Sequence, residues 1–243
     1  MLGRRLVPLL VERGHDVRVF ARRVSKVADG AQPVHGDVRT GEGLGPAVQD
    51  VDAVVHAATS PRRGARKTEV LGTRNVLAAI ERSGAHLVYV SIVGVDRHRL
   101  PYYKAKWEAE QVVEASGAPW TIQRATQFHD LLELFLNGPF FITTPHLAFQ
   151  VVDAGEVAAR LADLVEAGPS GRAPDFGGPA VVGIRELAAS RREITGRRAR
   201  LLRAPRVGPI RDFDDGHHLC PDQRTGTITW HEWLHTIAGP API

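Results

Sequence analysis

The sequence predicts an α/β fold, a doubly wound parallel sheet with helices on both faces and a small C-terminal lobe. Three observations predict it. Short apolar runs of strand length alternate with stretches whose apolar residues recur at helical spacing, the pattern of a parallel sheet covered on both sides. The opening, RRLVPLLVERGHDVRVF, reads as a helix stopped by a glycine and followed at once by a strand. The length of 243 residues, 43% hydrophobic and 24% charged, suits one large globular domain or a domain with a smaller lobe.

The first helix is expected over Gly3 to Arg13, with Leu6, Leu9, Leu10 and Val11 on its apolar side and Gly14 as its stop. Strands follow at Val17 to Phe20 and at Val34 and His35, then a helix near Leu44 to Val48 and a buried strand from Ala53 to His56. A long helix spans Thr68 to Arg82. His86 to Ser91 is a strand, Tyr102 to Ser116 a helix and Trp120 to Arg124 a strand. The pattern then loosens into a helix from Phe128 to Leu136, an apolar Pro139 to Ile142 segment and a strand around Phe149 to Val152. Helices at Glu156 to Glu166 and Ile184 to Glu193, a short strand near Leu201 and a helix from Thr229 to Ile237 close the chain. GPSGRAPDFGGP reads as loops flanking a short strand. The expected division is a nucleotide-binding part, 1–132, and a substrate-side part, 133–243, packed as one unit.

Composition excludes several classes. The apolar runs are strand-sized and no signal peptide is evident, so a cytoplasmic location and no membrane partner are expected. The single cysteine, Cys220, rules out an internal disulfide and a thiolate zinc site. The net charge is +4, and the densest basic run, Arg191 to Arg211, carries no aromatic residue. That favours a solvated surface over a nucleic-acid face. A small-molecule substrate is the expected partner; the oligomeric state is not readable.

The chemistry centres on Ser91 and PYYKAK. Tyr102 and Lys106 lie one helical turn apart on one face, where an ammonium lowers a neighbouring phenol's pKa toward the working range of an acid or base. Ser91 ends a strand at the sheet edge where open parallel sheets place ligands, so its hydroxyl could bind a substrate carbonyl or alcohol. The alternative is a surface helix that happens to start with two aromatic residues.

HLVYVSIVGVD, YYKAKWEAEQVV, SGAPWTIQRATQFHD and CPDQRTGTITWHEWL together resemble the atypical short-chain dehydrogenase/reductases, the NmrA-like or NAD(P)-dependent epimerase/dehydratase-like group, over nearly the whole chain. The resemblance implies a Rossmann-like fold and NADP(H) binding. It makes Ser91, Tyr102 and Lys106 catalytic candidates, with Lys106 also reaching the nicotinamide ribose and Tyr103 a substitute for Tyr102. It also places Glu69 where the group's helix motif carries asparagine; a carboxylate there can order water for proton relay but lacks the amide's donor.

Arg22 and Arg23 follow the second strand, where NAD enzymes place an acid against the ribose; guanidinium groups suit a 2′-phosphate instead. NADP is therefore preferred over NAD, the alternative being arginines that coat a loop. Asp37 resembles the family's adenine-edge contact, with Val38 beside it. Ala57, Ala58 and Thr59 would pass beneath the ribose and pyrophosphate. Thr126, Gln127, Phe128 and His129 fall near the sheet edge as substrate-side candidates; His129 could transfer protons or serve as a hydrogen-bonded core residue.

The opening helix belongs to a strand, glycine loop and helix unit for dinucleotides whose front half would lie ahead of Met1; only its third glycine is present, as Gly3. A gap beside the strand Val17 to Phe20, with weak NADP binding or poor folding of the 243-residue form, is the expectation. Three functional alternatives stand beside the oxidoreductase: an NADP-sensing NmrA-like regulator without turnover, a nucleotide-sugar-type epimerase or dehydratase, and a zinc hydrolase from the H-E-x-x-H spacing of His231, Glu232 and His235. The last lacks a third ligand downstream, and Trp230, Trp233, Leu234 and Ile237 explain the helix by packing alone.

Overall fold

A computed structural model describes residues 1–23, 27–61 and 64–238. In chain order the elements are α1 (Leu2–Glu12), β1 (Val17–Ala21), β2 (Ala31–His35), α2 (Leu44–Val48), β3 (Ala53–His56), a π-helical turn (Lys67–Leu71) running into α3 (Gly72–Ile80), β4 (His86–Ile92), α4 (Pro101–Glu114) and β5 (Trp120–Ala125). They continue with α5 (His129–Leu136), β6 (Phe141–Thr143), β7 (Ala148–Phe149), α6 (Ala154–Ala167), β8 (Gly171–Arg172), β9 (Val182–Gly183), α7 (Ile184–Thr195), β10 (Leu201–Arg203), α8 (Gly208–Asp214) and α9 (Trp230–Ala238). The alternating α/β order is the one expected.

The chain divides into two compact units. The first comprises Met1–Ser91, Pro101–Gln123 and Ala158–Ala173. Leu2, Leu6 and Leu10 form the buried stripe of α1, four residues apart, and Gly14 stops the helix at φ 86°, a conformation that costs glycine little. β1 and β2 are parallel, Val17 opposite Ala31; Pro33 in β2 cannot donate to a ladder and so suits an outer strand. β3, β4, β5 and β8 form a second ladder in that spatial order. From His86 to Ser91 every residue of β4 is buried, as a strand covered on both faces requires. Among the described residues no ladder joins β1 to β3. Ile80, Leu87, Tyr89, Ala109, Val113 and Ile122 centre the core.

The second unit comprises Ile92–Leu100, Arg124–Val157 and Pro174–Ile243. Its core gathers Leu132, Leu136, Phe149, Ile184, Leu187, Trp230, Trp233 and Leu234. The indole N–H of Trp230 donates to the Leu187 carbonyl at 3.0 Å, tying α9 to α7.

Several local expectations are corrected. The helix expected from Thr68 opens as a π turn, which buries Thr68, Glu69 and Val70 in succession; regular α periodicity would have turned one outward. The strand expected at Phe149 to Val152 is Ala148–Phe149, and Val152 makes an isolated bridge to Phe128. The Pro139 to Ile142 segment is in part β6, paired with β10. Arg191 does not belong to a solvated basic face: it is 1% exposed and donates to Glu133 at 2.6 Å. Ile237 is exposed rather than packed. Helix α8 and strand β9 were not foreseen.

Candidate functional site

The candidate site lies in the first unit, where the end of β4, the start of α4 and the π turn bring their side chains together. Lys106 is 3% exposed. Its ammonium donates to the Val90 carbonyl at 2.8 Å, pairs with Glu69 Oε2 at 3.1 Å and sits 4.7 Å from the centre of the Tyr89 ring. Burial opposes the Lys106 charge, yet Tyr89, Glu69 and Tyr102 outweigh it and hold the pKa above the ordinary lysine value. A buried cation in the absence of such partners would lose its proton.

Tyr102 stands one turn before Lys106 on α4, as the spacing predicts. Its hydroxyl lies 2.6 Å from Thr59 Oγ1, and Thr59 donates to Glu69 Oε1 at 2.8 Å. Glu69 Oε1 also accepts the Ser60 N–H at 2.9 Å. The expected fall in the phenol's pKa is reversed: burial, the largest influence, raises it, and Glu69 adds to that while Lys106 pulls the other way. Tyr103 is buried and perpendicular to Tyr102, the ring centres 6.1 Å apart. Ser91 is 3% exposed, and its Oγ has no hydrogen-bond partner among the described residues. Such a hydroxyl is costly to bury unless a ligand satisfies it.

Three neighbours were not singled out from the sequence. His56 Nε2 lies 3.1 Å from Thr73 Oγ1, and Thr73 donates to the Glu69 carbonyl. Because the Thr73 hydrogen is used there, His56 is the donor in its own bond. Burial first, then the Lys106 charge, pushes the His56 pKa down to about 3, so it is neutral. Burial pushes the Tyr89 phenol up to about 12. His56 at the end of a buried strand and Thr73 at the threonine of the Glu69 helix motif were the available signals; nothing marked Tyr89.

Around the cofactor edge, Ala21, Arg22 and Arg23 line a cavity of about 630 Å³, and both arginines are exposed. Asp37 is held below the ordinary carboxylate range first by its bond to Arg39, with Arg22 a smaller influence. The Arg39 guanidinium donates to it at 2.7 Å. A Cβ on the preceding Gly36 would collide with the Glu42 carbonyl and the Phe20 ring, which fixes glycine at that turn. The Val38 side chain belongs to the core and its carbonyl accepts Asn75 Nδ2 at 2.7 Å, so it offers a ligand little beyond its N–H. Ala57 and Ala58 are half-buried at the end of β3, and Thr59 is exposed. Gly3 sits in the first turn of α1, where an added Cβ would meet open space.

The substrate-side candidates belong to the second unit. Thr126 Oγ1 accepts the Gly178 N–H at 3.2 Å, the Gln127 carbonyl accepts Val152 N–H, and Phe128 caps α5. His129 is fully buried, with ring centres 5.8 Å from Trp230 and 5.5 Å from Trp233. Neither of its ring nitrogens has a hydrogen-bond partner among the described residues, which corrects the hydrogen-bonded reading. Burial lowers its pKa to about 4. Glu232 of the H-E-x-x-H run accepts the Thr229 N–H and hydroxyl, both at 2.8 Å, while Thr229 Oγ1 accepts the Glu232 N–H at 3.2 Å. It is half of a capping box. Among the described residues no group of three or more His, Cys, Asp or Glu could hold a metal ion, and no helix is long and apolar enough to cross a membrane.

Parallel strands with a Tyr-Lys helix and a serine at their carboxyl ends define a dinucleotide-binding α/β protein. Residues 1–164 match the NAD(P)H-binding family, and the chain belongs to it. A Photosystem II assembly factor, Ycf39, of Trieres chinensis is 25% identical over 65% of this chain and 54% of its own. A ketoreductase of Stigmatella aurantiaca acting on a 4-hydroxy-2-methyl-3-oxo-4-farnesyl-3,4-dihydroquinoline-1-oxide is 34% identical over 49% and 43%. The chain spans about half the length of such curated relatives. Among solved structures, an NADPH-dependent quinone oxidoreductase of Escherichia coli complexed with NADPH superposes with a TM-score of 0.78, at 18% identity over 98% of this chain and 96% of that one. Its fold is the same.

Proposed function

We propose that the protein is an NADP(H)-dependent oxidoreductase acting on a small, apolar carbonyl or quinone. The observation that carries this reading is the buried, unpartnered Ser91 hydroxyl one residue from Val90, whose carbonyl pins Lys106. Ser91 binds the substrate oxygen and Tyr102 exchanges a proton with it. Arg22 and Arg23, beside the cavity they line, hold a ribose 2′-phosphate; Ala57 and Ala58 let the chain pass close to the ribose; Lys106 keeps N–H groups beyond the one given to the Val90 carbonyl. The nicotinamide, when bound, donates or accepts the hydride. The NADPH-bound quinone oxidoreductase and the ketoreductase support the substrate class.

The test is turnover of NADPH with a panel of quinones and aromatic carbonyls. Tyr102→Phe should lower kcat by roughly 100-fold or more while NADPH still binds. Unchanged turnover refutes the mechanism. A second reading, a cofactor-sensing regulator, draws on the ion pair that occupies Lys106 with Glu69; NADPH binding without turnover of any substrate in the panel would favour it.

A further inference from the structure

The hydrogens around Thr59 have a fixed direction. Thr59 carries one hydroxyl hydrogen, and it is given to Glu69 Oε1 at 2.8 Å, because a carboxylate oxygen can only accept. The 2.6 Å contact between Thr59 and Tyr102 must then be donated by the phenol. Glu69 Oε1 accepts from Thr59 and from the Ser60 N–H at 2.9 Å, and Oε2 pairs with the Lys106 ammonium at 3.1 Å, the surroundings of an ionised carboxylate. Tyr102 therefore points its hydrogen to Thr59, along a line of oxygens that ends at Glu69, and its lone pairs are left for a substrate hydroxyl.

We infer that Tyr102, Thr59 and Glu69 form a proton relay, with Glu69 as its terminus and Lys106 as the fixed counter-charge; the inference rests on the oxidoreductase reading. In alcohol oxidation the substrate hydroxyl gives its proton to the Tyr102 oxygen, the phenolic proton passes to Thr59 Oγ1, and the Thr59 proton passes to Glu69 Oε1. One O–H bond breaks and one forms at each relay hydroxyl. The electron pair of the carbinol C–H leaves with its hydrogen to an oxidised nicotinamide dinucleotide, the co-reactant, as the carbonyl forms. Carbonyl reduction runs the same route backwards from a protonated Glu69. Thr59 and Glu69 act through Tyr102 and do not touch the substrate. Burial and the Glu69 charge both raise the Tyr102 pKa, so the phenol rests protonated, as a relay of hydroxyls needs.

Two measurements test the relay. In the ligand-free protein the Tyr102 phenol is titrated by tyrosinate absorbance, with Tyr102→Phe as the subtraction. Glu69→Gln, which keeps the shape and removes the charge, should make that phenol about tenfold more acidic, a shift of roughly one pKa unit. In the NADPH-loaded protein with a naphthoquinone, Thr59→Val should lower kcat roughly 100-fold with KM little changed, and Thr59→Ser should restore it. Thr59→Val turning over like the natural protein, or Glu69→Gln leaving the phenol titration unmoved, overturns the relay. If the natural protein neither binds NADPH nor turns over, the oxidoreductase reading fails, and the ligand-free titration alone decides whether Tyr102 is coupled to Glu69.

Discussion

Lys106 and Glu69 show how burial sets the stakes for a single side chain. Each is almost fully enclosed, so each charge depends on the other. Lys106→Met should destabilise the protein by about 3 to 5 kcal/mol, because it strands the Glu69 carboxylate in the interior, whereas Lys106→Met with Glu69→Gln should recover much of that loss. Chemical denaturation of both variants reads the difference; equal stabilities would mean that the pair is not coupled. At this scale Tyr102, Lys106 and Ser91 were legible from spacing and strand position. Thr59 was read as a cofactor-side residue beneath the ribose and pyrophosphate and not as a partner of Tyr102, because its bond to Tyr102 spans 43 positions of chain and no local pattern encodes it. The direction of the Tyr102 pKa was misjudged for a related reason: spacing reveals the lysine one turn away, but not the burial that outweighs it.

At the scale of elements, helices and strands with strong periodicity were readable nearly to their ends. Those whose form depends on neighbours were not. The π turn at Lys67–Leu71 carries the sequence of an ordinary helix start, and only its packing turns three consecutive residues inward. Arg191 sits in the densest basic run, yet the Glu133 carboxylate on α5 draws it inside. Helix α9 makes the opposite point: its H-E-x-x-H spacing resembles a metal motif, while Thr229 and Glu232 work as a reciprocal cap. Glu232→Ala should cost about 1 kcal/mol of thermal stability, and zinc should not raise the melting temperature of either form. A rise with zinc that depends on His231 and His235 would restore the metal reading.

At the scale of the whole molecule, the order of strands and helices and the membership in an NAD(P)H-binding family agree. The doubly wound α/β class was legible because short apolar runs alternate with helical stretches along the chain. Cofactor identity rests on charge at one edge, where Arg22 and Arg23 stand in place of an acid. The most direct measurement of that claim is calorimetric titration of the purified chain with NADPH and, separately, NADH. NADPH should bind at least about tenfold more tightly, a difference of roughly 1.4 kcal/mol, and Arg22→Ala with Arg23→Ala should erase the preference. Equal affinities, an NADH preference, or a preference that survives the loss of both arginines would contradict it.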